Sequence, residues 1–138
     1  MGYLDEIRAR GSKANPFFGL LGIEIVSYGD GVAELSMKLR PDMMNGAGWM
    51  QGGLFTALSD EAMAMALLTV IEEGDRIATI SESTSYLQGV RDGEIRAKGS
   101  VIKKTRQVAF TEGQVMMADD SEKILSKTMA SFSIIRKT

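Results

Sequence analysis

Asp60 and Glu61 stand side by side in NGAGWMQGGLFTALSDEAMAMALLTV, residues 45–70, a stretch otherwise almost wholly apolar or small. A charge is expensive to bury without a partner, so a carboxylate held there is a candidate for acid–base or nucleophilic work. The chain offers few other means. Its 138 residues include no histidine and no cysteine, which removes the usual general base, the imidazole metal ligand, thiolate sites, disulfides and any Ser-His-Asp arrangement. Proton transfer is left to carboxylates, lysine, tyrosine or bound water. No metal site and no cofactor is implied.

These residues need an element to hold them, and the pattern supplies one. A helix is expected from Gln51 or Gly52 to Glu73, with apolar or small residues on nearly every side, as in a helix wrapped by a sheet. Gly74 would cap its end. The loop before it, PDMMNGAG, is rich in turn formers. Upstream, residues 3–10 suggest a short amphipathic helix that GSKANP breaks. LGIEIVSYGDGVAELSMKLR then reads as two strands joined at Gly29-Asp30-Gly31. The second alternates: Ala33, Leu35, Met37 and Leu39 on a core face, Glu34, Ser36, Lys38 and Arg40 in water. Four further strands are expected at about 77–88, 93–104, 107–118 and 122–135, spaced as an antiparallel meander. The expected fold is α+β, one domain over residues 1–138, with five to six antiparallel strands curled around one long helix.

Composition narrows the function. Net charge is −2 and the pI about 5.2, giving no basic footprint for nucleic acid. No apolar run reaches the roughly 20 residues of a membrane-spanning helix, and the N-terminus does not read as a signal peptide, so the expectation is cytoplasmic with no membrane partner. Ten methionines suit either an adaptable apolar pocket or ordinary core filling.

NPFFGLLGIEIVSYGDGVAELSM, NGAGWMQGGLFTALSDEAMAMA and STSYLQGV together resemble the hotdog-fold acyl-CoA thioesterases of the phenylacetate-pathway type, over about residues 15–135. The resemblance implies a set of roles. Asn45 matches a loop asparagine near the catalytic centre, and Gln51 falls where the family usually has histidine. Gly52 matches the glycine whose N–H stabilises the oxyanion, and Asp60 matches the catalytic carboxylate. Thr79 falls where relatives carry a hydroxyl that helps hold the attacking water. Glutamine cannot titrate, but its amide can still donate to a carbonyl.

Simple physics is consistent with these roles. A helix N-terminus carries free N–H groups and partial positive charge, suited to an oxyanion. Asp60 lies eight residues along, about 12 Å at helical rise, too far for both groups to meet one carbonyl in a single chain. The family resolves this by facing the helix N-terminus of one subunit against the carboxylate of another. The expected partner set is therefore an acyl-CoA substrate and a homodimer with shared sites, extending to a homotetramer as a dimer of dimers.

Around Asp60 the helix places Thr56, Ala57, Met63, Ala64 and Leu67, a mostly apolar shell; Glu61, turned about 100° away, reads as facing solvent, an interface or a salt bridge. Candidate substrate contacts are Gly53, Trp49, Met63 and the cations Lys103, Lys104 and Arg106, which suit the phosphates of coenzyme A. Each has a plainer reading. Asn45 and Gln51 also suit a turn and a helix start, the glycines suit close packing, and the three cations suit a solvated turn. Trp49 suits a pocket wall or a subunit interface. Asp60 would act as general base on water or as nucleophile. The alternative to an acyl-CoA thioesterase is a non-catalytic acyl-CoA binding protein of the same fold; a dehydratase or hydratase, which usually needs histidine, ranks below both.

Overall fold

A computed structural model describes residues 2–138. Helix α1, Tyr3–Arg10, forms where expected; the Gly2 N–H donates to the Asp5 carboxylate at 3.1 Å and Ile7 is buried. The break after it is shorter than expected. A 3-10 turn over Gly11–Ala14 leads directly into a second helix, α2, Pro16–Leu21. Asn15 accepts from the N–H groups of Phe17 and Phe18, proline takes the first turn, and Gly22 ends the helix at φ +71°. Phe18 is thereby sunk in the core.

Strands β1 (Glu24–Gly29) and β2 (Val32–Lys38) form the expected hairpin, turning through Asp30 at φ +52°. Ala33, Leu35 and Met37 point inward, as the alternation required. The central helix, α3, runs Gly52–Leu68, stopping five residues short of the expected end at Glu73. Thr69 stops it: its hydroxyl donates to the Ala66 carbonyl at 2.6 Å and accepts from the Gly31 N–H at 2.8 Å, tying the helix end to the β1–β2 turn. Gly74 lies in a later turn at φ +89° and caps nothing.

Strands β3 (Arg76–Tyr86), β4 (Glu94–Lys104), β5 (Val108–Met117) and β6 (Asp120–Ile135) complete one antiparallel sheet in the order β1-β2-β4-β5-β6-β3. The expected six-stranded limit is met, but the four last strands are not a simple meander. β3 pairs with β6 along its length, and β4 crosses over to pair with β2. Spacing along the chain fixes the hairpins β4–β5–β6 and says nothing of where β3 docks. As a result β3 is an edge strand of 11 residues.

The sheet curves around α3, whose Phe55, Leu58, Ala62, Met63, Met65, Ala66 and Leu67 are buried. Contact is closest at Gly99 of β4, where a Cβ would stand 2.4 Å from the backbone carbon of Ala62. Only glycine admits the helix backbone so near the strand. This architecture is the hotdog fold. Among the described residues no helix is long and apolar enough to cross a membrane.

Candidate active site

One stripe of α3 is polar. Gly52, Thr56 and Asp60 recur every fourth residue and so share a face, and that face lies along β3. At its start, Gly52 packs against the Tyr86 ring, whose carbons lie within 3.6 Å of where a Cβ would be. One turn on, the Thr56 hydroxyl meets that of Thr84 at 2.7 Å and that of Tyr86 at 3.2 Å; Thr84 in turn meets Thr128 of β6 at 2.9 Å. One turn further, the Thr79 hydroxyl donates to Asp60 Oδ1 at 3.0 Å. Asp60 is half-buried at this seam, and the shell around it is less apolar than the helix alone suggested.

At the helix N-terminus, Gln51 is the N-cap residue and its side-chain oxygen accepts from the Gly53 N–H. Gly53 is thus satisfied within the chain, while the Gly52 N–H has no hydrogen-bond partner among the described residues. The donor left open is the one at the Tyr86 end of the stripe. The loop before the helix is pinned on both sides: the Gln51 N–H donates to the Met43 carbonyl at 2.9 Å and the Met50 N–H to the Val90 carbonyl at 2.8 Å. Asn45 organises that loop. Its side-chain oxygen accepts from Ala47 and Trp49 N–H groups at 2.9 and 3.1 Å, and its own N–H donates to the Trp49 carbonyl at 2.7 Å.

Trp49 lies in the same loop, 40% exposed, with the Arg91 guanidinium 3.8 Å from the ring centroid. Met63, expected at the acyl pocket, is instead fully buried in the core, its sulfur accepting from Thr111 and its side chain lying over Gly113. Lys103, Lys104 and Arg106 are exposed on the β4–β5 turn. They sit beyond the C-terminal end of α3: Arg136 ties the Arg106 carbonyl to Asp75, which follows that helix. Within one chain they are remote from Gly52.

Two acids flank Asp60. Glu61, expected to face solvent, an interface or a salt bridge, is half-buried against the N-terminal segment with no salt bridge among the described residues. Its carboxyl is pushed up to about 7 by burial and the Asp60 charge, against a hydrogen bond from Asn15 that pulls the other way. Asn15 also donates to the Tyr3 hydroxyl at 2.9 Å. The third acid, Glu82 of β3, has no counterpart in the sequence reading. Counting alternately from Thr79 puts it on the opposite face of the strand, and a bulge between Thr79 and Ser81 reverses that count.

Comparison with known proteins agrees with the fold. A model of the thioesterase superfamily matches residues 47–124, more than half of the chain. Human acyl-coenzyme A thioesterase 13 is 32% identical over 110 residues, covering 78% of each protein. A conserved protein of Pseudomonas aeruginosa superposes with a TM-score of 0.84 at 28% identity, covering 92% of this chain and 99% of that one. The phenylacetic acid degradation protein PaaI of Thermus thermophilus shares the fold, with a TM-score of 0.77 at 21% identity over 86% of this chain and 98% of its own. The class is thus that of the hotdog thioester hydrolases. The chain belongs to the thioesterase superfamily.

Proposed function

We propose that this enzyme hydrolyses acyl-CoA thioesters, with Asp60 as general base on water or as nucleophile and the Gly52 N–H as oxyanion donor. The observation that carries the reading is the α3–β3 seam, with an unpartnered helix N-terminal N–H at one end and a carboxylate held by a threonine at the other. Attack on a thioester carbonyl places negative charge on its oxygen, and a preorganised N–H at a helix start stabilises that charge. Thr79 orients Asp60 through its hydroxyl. Gln51 holds the first turn of the helix in place of an imidazole, and its amide N–H₂ remains available to the thioester. Asn45 sets the loop, and Trp49 with Arg91 walls the same end.

The two ends of the seam are too far apart for one substrate, and the edge strand supplies an answer. β3 exposes Ile80 (58%) and Tyr86 (56%) and leaves backbone groups without a strand partner on its outer side. Antiparallel pairing of β3 with its copy about a two-fold axis would bring the Tyr86 end of one subunit to the Thr79 end of the other. Gly52 of one chain then faces Asp60 of its partner, giving two shared sites per homodimer. A homotetramer would be two such dimers, and Lys103, Lys104 and Arg106 would meet coenzyme A phosphates only across such an interface. The reading places the enzyme in the cytoplasm.

The test is release of free thiol from a panel of short-chain, medium-chain and aryl acyl-CoAs by wild type and Asp60→Asn. Asparagine keeps an oxygen for Thr79, so the fold is retained. We expect kcat to fall at least about a hundredfold. Unchanged turnover would remove Asp60 from the chemistry, and saturable acyl-CoA binding without thiol release by wild type would select the binding-protein alternative.

A further inference from the structure

Regular pleating would give Thr79 and Glu82 opposite faces of β3. It does not, because one extra residue intervenes. Thr79 stands opposite Phe132 and Ser81 opposite Ser131, so Ile80 is the bulge. It is thrown outward, 58% exposed, and the phase of the strand changes behind it. Ser81, Ser83 and Ser85 then face outward, while Glu82 and Thr84 are half-buried on the helix side. Two side chains that sequence alternation would separate are thereby brought to the same place, beside Asp60.

The surroundings of Glu82 contain no cation. α3 presents Asp60 and, next to it, Glu61. β6 presents Ala130 directly opposite, flanked by Thr128 and Phe132. α3 has no cation, the β6 lysine nearest in register, Lys127, pairs with outward-facing Ser85, and none of the three acids forms a salt bridge among the described residues. Oε1 of Glu82 is buried with no donor to receive. As two anions, Glu82 and Asp60 have no hydrogen to share and would repel; with one proton between them, the contact becomes a hydrogen bond.

We propose that Glu82 is a positioning residue whose protonated carboxyl donates to the Asp60 carboxylate, so that the pair holds one proton and presents Asp60 to the thioester as a single oriented anion. This rests on the reading of Asp60 as the working carboxylate. Burial, the hydrogen bond to Asp60 and the Asp60 charge together push the Glu82 carboxyl up to about 8. The pair therefore carries one negative charge through neutral pH. Above that point the proton passes to solvent, Asp60 loses its donor, and a second anion faces the developing oxyanion.

The experiment follows kcat and KM against pH for wild type, Glu82→Gln and Glu82→Leu, alongside carbon-13 NMR of the side-chain carboxyls in wild type and Asp60→Asn. Wild-type kcat should fall as pH rises through about 8. Glu82→Gln keeps a donor that cannot ionise, so it should stay within a few-fold of wild type at neutral pH and lose the alkaline fall. Glu82→Leu should lower kcat about tenfold at every pH with KM little changed. In the spectra, Glu61 should titrate near 7 and a second carboxyl near 8 in wild type; the second should be missing from Glu82→Gln and move down toward the ordinary carboxylate range in Asp60→Asn. An alkaline fall that survives in Glu82→Gln, or no carboxyl titrating near 8 besides Glu61 near 7, overturns the proposal. The two readings fail separately. A dead Asp60→Asn with no Glu82 carboxyl near 8 sinks only the proton-sharing pair. A Glu82 carboxyl near 8 in a protein that hydrolyses no acyl-CoA sinks only the substrate.

Discussion

Replacing Gly52 by proline would remove one hydrogen-bond donor and little else. The residue is the first of α3, the position where proline fits best, and the preceding Gln51 already has φ −58° and ψ 131°, which proline demands of its neighbour. A Cβ there meets the Tyr86 ring at 3.5 Å, ordinary contact. Gly52→Pro should therefore fold and melt close to wild type while kcat falls about a hundredfold or more, the scale of losing an oxyanion donor. Full activity in a folded Gly52→Pro would move the oxyanion site elsewhere. Gln51 is the other informative single residue. The sequence leaves it between a substrate contact, where the family has histidine, and a helix start; the structure gives its oxygen to Gly53 as a helix cap. Only its N–H₂ end is left for substrate.

At the level of elements, the sequence showed what depends on local pattern and hid what depends on pairing. The β1–β2 alternation, the long apolar helix and the four later strands were legible because side-chain period follows secondary structure. Helix α2 was legible too, in Asn15-Pro16 as cap and first turn, but reading GSKANP as a break masked it. The docking of β3 on β6 was not legible, since any of several strands could flank it. Glu82 was hidden by the bulge, which inverts inward and outward without a glycine or proline to mark it. The glycine at position 99 carries a prediction of its own. With the Ala62 backbone 2.4 Å from a modest methyl group, Gly99→Ala must push α3 off the sheet. Thermal denaturation should show a loss of about 1–3 kcal/mol, the range of an overpacked core. A melting temperature equal to wild type would mean that the helix has room there after all.

For the whole molecule, the proposed sharing of sites makes a prediction that no single-chain enzyme can meet. In a mixture of Asp60→Asn and Gly52→Pro subunits, each homodimer lacks one essential group in both sites. A heterodimer concentrates both lesions in one site and leaves the other intact. Unfolding and refolding the two inactive variants together should restore about a quarter of wild-type activity, half of the dimers having one working site of two. No recovery, with dimers confirmed by ultracentrifugation, would place both groups in one chain's site.

The hydroxyl contacts along the α3–β3 seam have a mechanical consequence. Elsewhere the helix rests on an apolar floor that includes Leu58, Ala62, Met65 and Ala66, whose contacts a water molecule cannot replace. Along the seam, Thr56, Thr84, Tyr86 and Thr79 hold it by single polar contacts, each of which water can replace at a cost of about 1 kcal/mol. The seam is therefore the side of the helix where replaceable polar contacts carry most of the hold, beside the Phe55–Tyr86 ring contact. Water or a ligand would enter along the proposed reaction line at a lower cost than anywhere on the apolar floor behind it.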